Sequence, residues 1–244
     1  PDRNKQFRFS RRVKKLFLAA GRPVISVDTK KKELIGNFKN SGRTWRQAPT
    51  LVNTHDFPSE AIGRATPYGI YDLTHQQGHV YVGQSYDTPE FAAYAIAQWW
   101  ADPQRPRFAQ EDQLLILCDA GGSNSCRHWK WKIEVQHQLA NQFGLTVIVC
   151  HYPTGASKWN PIEHRLFSEI SKNWAGKPLT SFQTMLNYIR DTTTATGLHV
   201  KATLVERHFE KGIKYDPTDR DNLNLRRFRN CPNWNYILSP QLLG

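Results

Sequence analysis

Apolar residues come in two patterns along this chain. Short unbroken blocks, Val24-Ile25-Ser26-Val27, Leu114–Cys118 and Leu145–Cys150, read as strands covered on both faces. Longer stretches space their apolar positions at helical intervals. Residues 11–20 predict a helix stopped by Gly21, with Pro23 just beyond. Thr88 to Ala101 predicts another, with Thr88 as cap and Pro89 in the first turn. Trp129–Phe143 ends at Gly144. Asn160-Pro161 opens a helix to about Trp174, with Ile162, Leu166, Phe167, Ile170 and Trp174 on one side. A further helix is expected at about Ser181–Thr194.

Between the first strand and the second helix lie Leu34–Phe38, Tyr68–Leu73 and Val80–Val82. They predict a small antiparallel meander, with its turn at Gln76-Gln77-Gly78. Residues 39–66 lack periodicity and read as a loop insertion. Strands first, then alternating helix and strand, predict a mixed sheet flanked by helices, in the order of a ribonuclease H-like α/β fold. The organisation expected is a basic N-terminal segment with a short helix (1–22), a catalytic domain (23–197) and a C-terminal appendage (198–244). In the appendage, Val200–Val205 and Gly212–Tyr215 are expected to pair as a hairpin.

Composition narrows the function. The 244 residues carry 33 Lys and Arg against 21 acids, a formal charge of +12, which favours a polyanionic partner. No apolar run approaches the roughly 20 residues of a spanning helix, and no signal peptide is recognisable. The four cysteines form no C-x-x-C pair, which argues against a zinc ribbon and for a reducing, cytoplasmic setting. The chain begins at Pro1 without Met and reads as a fragment with a domain expected upstream.

The candidate chemistry lies in three acids. Asp28 and Asp119 each end a strand block, and Glu163 falls in the first turn of a helix. Carboxylates at the ends of adjacent strands open into one crevice, and a third must arrive from another element. Three such groups suit hard divalent cations that clamp the attacking and leaving oxygens of a phosphoryl transfer. Each acid also has an ordinary role: Asp28 and Asp119 in turns, Glu163 at a helix N-terminus. Zinc hydrolysis is disfavoured because His151 and His164 are not spaced i,i+4. Ser123, Ser125 and His128 lack a nucleophile elbow, and Gly121-Gly122-Ser123 is not a P-loop.

Val-Asp-Thr-Lys-Lys-Lys-Glu-Leu-Ile-Gly (27–36), Cys-Asp-Ala-Gly-Gly-Ser-Asn (118–124) and Ser-Lys-Trp-Asn-Pro-Ile-Glu-His-Arg-Leu-Phe (157–167) resemble the signature blocks of ISAzo-type insertion-sequence transposases. These belong to the DDE superfamily and are distantly similar to mariner-type enzymes. The resemblance extends to Gly-Arg-Thr-Trp-Arg (42–46), Asp-Phe-Pro (56–58), Pro-Tyr-Gly-Ile-Tyr-Asp (67–72) and Trp-Asn-Tyr (234–236). It implies that Asp28, Asp119 and Glu163 form a catalytic triad holding two Mg²⁺ ions, with Mn²⁺ as substitute. It implies DNA strand cleavage and strand transfer on double-stranded DNA, at transposon ends and target. A nucleoid-associated homo-oligomer working on DNA is expected, as is an upstream helix-turn-helix that this sequence does not recognisably contain.

The expected DNA contacts are Lys30, Lys31, Lys32, Arg43, Lys158, Trp159 and Arg165. The three lysines could hold phosphates or stand exposed on a hairpin. Trp159 could stack on an unpaired base or pack beneath its loop. Asn160 reads most simply as a helix cap. Two other functions stay open: a ribonuclease H-like nuclease that cuts without joining, and an inactive DNA-binding derivative.

Overall fold

A computed structural model describes residues 2–45, 47–48, 51–56 and 58–241. Arg46 and Phe57 of the motif blocks lie outside the described residues. The strands are β1 (Val24–Thr29), β2 (Glu33–Ile35), β3 (Gly63–Asp72), β4 (Gln77–Gly83), β5 (Gln113–Asp119), β6 (Thr146–Tyr152), β7 (His199–Val205), β8 (Leu225–Arg227) and β9 (Asn235–Leu238). They form one sheet in the order β7-β4-β3-β1-β5-β6-β9-β8, with β2 on β3. β1, β5 and β6 run parallel, whereas β3 joins β1 and β4 antiparallel. This mixed sheet between helices accords with the ribonuclease H-like expectation.

Alternation along the strands sorts side chains to two faces. Ile25, Val27, Ile116 and Cys118 point to one face, beneath α2 (Pro89–Ala101) and α3 (Trp129–Val135), and pack with Phe91, Trp99 and Trp131. Thr88 caps α2 as its sequence predicts, its side chain accepting from Phe91 N at 3.1 Å. The opposite face is shared. α1 (Asp2–Ala19) covers the Leu115, Leu117, Ile148 and Cys150 half through Phe17 and its neighbours. The helix over 161–173, whose last turns are α4 (Ser168–Asn173), and α5 (Phe182–Arg190) cover the β3, β4 and β7 half.

Several boundaries move, each for a local reason. α1 begins at Asp2 rather than near residue 11, because two of its buried positions are polar. Gln6 Nε2 donates to His151 O at 2.8 Å and Asn235 Oδ1 at 2.7 Å, and Ser10 Oγ donates back to Gln6 O. β2 stops at Ile35 because Gly36 turns at φ +146, and Phe38 makes only a lone bridge to Asn53. β3 starts at Gly63, which shortens the insertion. The meander turns at 73–76, not at Gln76-Gln77-Gly78, because the Asp72 carboxylate collects the N–H groups of Thr74 and His75. α5 ends at Arg190.

The expected hairpin of Val200–Val205 with Gly212–Tyr215 does not form. β7 instead pairs in parallel with β4, residues 212–215 are not a strand, and β9 pairs antiparallel with β6. Val200 and Ala202 are thereby buried with Val80 and Val82 rather than left on an isolated ribbon.

Candidate active site

The parallel pairing of β1 with β5 sets Val27 opposite Cys118, so Asp28 and Asp119 follow side by side at the carboxyl ends of the two central strands. Both alternate away from the α2–α3 face and toward the face where Ser26 lies. The helix carrying Glu163 lands there too. Across the antiparallel partner, Gly69 stands opposite Asp28. A Cβ on Gly69 would run into the Phe167 ring and lie 2.9 Å from Ile162 Cδ1. The absence of a side chain at Gly69 therefore lets the Glu163 helix settle directly onto the sheet beside Asp28.

Asn160 fixes the landing point. It is fully buried, and its Nδ2 donates to Asp119 Oδ1 at 3.2 Å. Its Oδ1 meets the Ser26 hydroxyl, which also accepts from Ile162 N at 3.2 Å. Asn160 O accepts from Glu163 N at 3.1 Å. One amide thus ties β1, β5 and the helix start together, which is more than the simple cap its sequence position suggests. The helix then widens into a π turn over Glu163–Phe167, where Ser168 N donates to Glu163 O. Such turns are rare and often sit at functional sites.

The carboxylates feel each other. Burial, then Asp119, pushes the Asp28 carboxyl up to about 8, with Glu163 and Asp87 adding to the shift. Asp119 is pushed up to about 6 by burial and by Glu163. Burial raises Glu163, and Lys30 and His164 oppose that rise. Asp28 Oδ1 accepts from Thr29 N at 2.8 Å. Among the described residues nothing donates to the second oxygens of Asp28 and Asp119 or to the Glu163 carboxylate. Nor do three such side chains close to joint metal-binding distance. Half-buried, mutually repelling oxygens with free lone pairs are a donor set that fits a hard divalent cation.

Asp87 joins the edge of this group. Nothing in the sequence marks it, yet its Oδ1 accepts from Thr29 Oγ1 at 3.0 Å. Of the expected DNA contacts, Lys30 turns inward: its Nζ lies 3.4 Å from Glu33 and 4.7 Å from the Trp174 ring centre. Lys31 is exposed and Lys32 half-buried. Lys158 and Arg165 are exposed beside the Glu163 helix start. Trp159 is 58% exposed, its edge against Phe7, so it is not buried beneath its loop. Arg43 is exposed in the insertion, next to Gly176 rather than to the carboxylates. His151 is buried against the carbonyls of Asn124 and Trp234, and the His164 ring meets the Lys158 carbonyl.

Comparison with known proteins gives one family. Residues 1–240 match the family described as Rhodopirellula transposase DDE domain. No curated protein and no solved structure matches the chain. Among the described residues no helix is long and apolar enough to cross a membrane.

Proposed function

The chain belongs to this transposase DDE-domain family, and from that membership we propose that Asp28, Asp119 and Glu163 are the catalytic carboxylates of a DNA strand cleavage and strand transfer reaction. The family implies DNA binding and nuclease or strand-transferase activity in general, and DDE transposases generally use divalent metal ions. The observation that carries the proposal is the delivery of all three acids to one end of β1 and β5, with Asn160 bridging the elements.

The three carboxylates would hold two Mg²⁺ ions, or Mn²⁺ in their place, which when bound lower the pKa of an attacking water or hydroxyl and neutralise charge on the leaving oxygen. Asn160 keeps one Asp119 oxygen engaged, and among the described residues the other has no donor. Lys30, held by Glu33 and Trp174, supplies a fixed positive charge that opposes the rise at Glu163. In the first step a water oxygen attacks phosphorus at an element end and the 3′-oxygen leaves. In the second the freed 3′-hydroxyl attacks a target phosphodiester in line, so one P–O bond forms as another breaks. Lys31, Lys32, Lys158, Arg165 and Arg43 serve as phosphate contacts, and Trp159 stacks on an unpaired base. The working unit is a homo-oligomer on paired ends.

Asp28→Asn and Glu163→Gln are expected to abolish metal-dependent nicking of a labelled duplex while DNA binding persists. Undiminished nicking in both variants would overturn the assignment. Pre-cleaved ends incubated with target DNA separate a transposase, which joins them, from a nuclease, which does not.

A further inference from the structure

Seven of the eighteen residues of α1 are Lys or Arg, against the single acid Asp2. Among the described residues the ion pairing on this helix is limited to Lys5 with Asp2, 3.9 Å apart and both exposed. The helix is nonetheless fixed firmly to the sheet. Gln6 and Asn235 exchange side-chain hydrogen bonds in both directions, at 2.7 and 2.6 Å. α1 is therefore built into the same body as the carboxylates.

One side of α1 faces the approach to Glu163. Arg3 Nη2 donates to Gly155 O at 3.1 Å, and the Phe7 ring lies 5.9 Å from that of Trp159. Arg11 and Lys14 line a small pocket together with Phe7, Ser10, Tyr152 and Trp159. Lys158 lies 5.6 Å from the Trp159 ring centre, and the exposed Arg165, whose side chain bonds Tyr71, lies near enough to Lys14 to act on its charge. The Lys14 ammonium is lowered by burial and then by the guanidinium groups of Arg11 and Arg165. Like charges crowded from two separate elements, with no acid among them, are a cost that an anion removes.

We infer that α1 and the start of the Glu163 helix form a phosphate-binding groove for the backbone of duplex DNA leading to the carboxylates. This rests on DNA being the substrate and not on the identity of the catalytic acids. From Arg3 to Lys14 the helix spans about 16 Å, the length of roughly five phosphates of one strand. Arg11, Lys14 and Arg165 are the clamp, and the grip is independent of sequence.

The test is fluorescence anisotropy of a labelled duplex in chelator, titrated over a range of salt. Each side chain that neutralises a phosphate adds about 0.9 to the steepness of log affinity against log salt. Arg11→Ala with Lys14→Ala should flatten that slope by about two and weaken binding several-fold or more at about 0.1 M salt. Lys14→Arg, which keeps the charge, should bind nearly as tightly as the parent, unlike Lys14→Ala. Lys201→Ala, on β7, should leave the slope unchanged. An unaltered slope and affinity in the double variant, with its melting temperature intact, would overturn the groove. A single-strand preference that the double variant loses would overturn the duplex occupant. If Asp28→Asn still nicks DNA but the double variant binds weakly, the groove stands and the triad falls.

Discussion

Asn160 is the residue on which the site's geometry turns. Its amide spans a carboxylate oxygen and a serine hydroxyl, so no residue of another shape satisfies both. Asn160→Ala would strand the Ser26 hydroxyl and release Asp119, costing about 1–3 kcal/mol of stability. Nicking is expected to fall by about two orders of magnitude with little change in DNA affinity, since a group that orients catalytic atoms acts on the transition state. Equal losses in nicking and binding would refute a positioning role. Asp28 carries a second expectation. In chelator its folded pKa of about 8 lies above the ordinary carboxylate value of 3.8. Between those values the native state keeps a proton that the unfolded chain releases, so stability falls as pH rises through the window. Asp28→Asn should therefore melt like the parent near pH 4 and increasingly above it toward pH 8. A pH-independent difference would mean the carboxyl is not destabilised by its surroundings. The acids themselves are legible in the sequence as residue types at strand and helix ends. Asp87 is not, because a loop acid gives no signal until Thr29 is placed beside it.

At the scale of elements, strands and helices follow from apolar blocks and caps, and what escapes are features with polar or absent side chains. α1 hides its buried stripe behind Gln6 and Ser10. The glycines under the Glu163 helix give no signal either, because strand pattern does not say which residue a helix will lie across. Gly78 resembles Gly69 in this respect: a Cβ there would collide with Leu166 and lie 3.3 Å from Val200 Cγ2. Gly69→Ala should cost about 1–3 kcal/mol through overpacking and lift Glu163 away from Asp28. Gly69→Ala combined with Phe167→Leu should recover part of the nicking activity. Recovery of stability without activity would show that seating the helix on Gly69 is not what positions Glu163. The π turn acts in the same place. It widens the helix over Glu163–Phe167, the stretch that carries Glu163 on one side and the buried Leu166 and Phe167 on the other.

In the molecule as a whole, the sheet is larger than the sequence makes evident. β7 lies beside β4 at one edge, and β9 with β8 beside β6 at the other. Edge strands that pair with residues distant in sequence carry no local signature, which is why residues 198–244 read as an appendage. Truncation after residue 197 should expose both β4 and β6 and give aggregated rather than soluble protein. Soluble, cooperatively melting 1–197 would show the central strands to be self-sufficient. The same topology bears on when the enzyme comes into being. Residues 199–238 flank the sheet on both sides, and Asn235 also holds α1 through Gln6, so the first helix waits for one of the last strands. During synthesis the growing chain can carry Asp28, Asp119 and Glu163 for the time needed to add about seventy further residues and still lack a finished sheet. Cutting activity should thus switch on abruptly once residues 235–238 have emerged to pair with β6, rather than build up along the nascent chain.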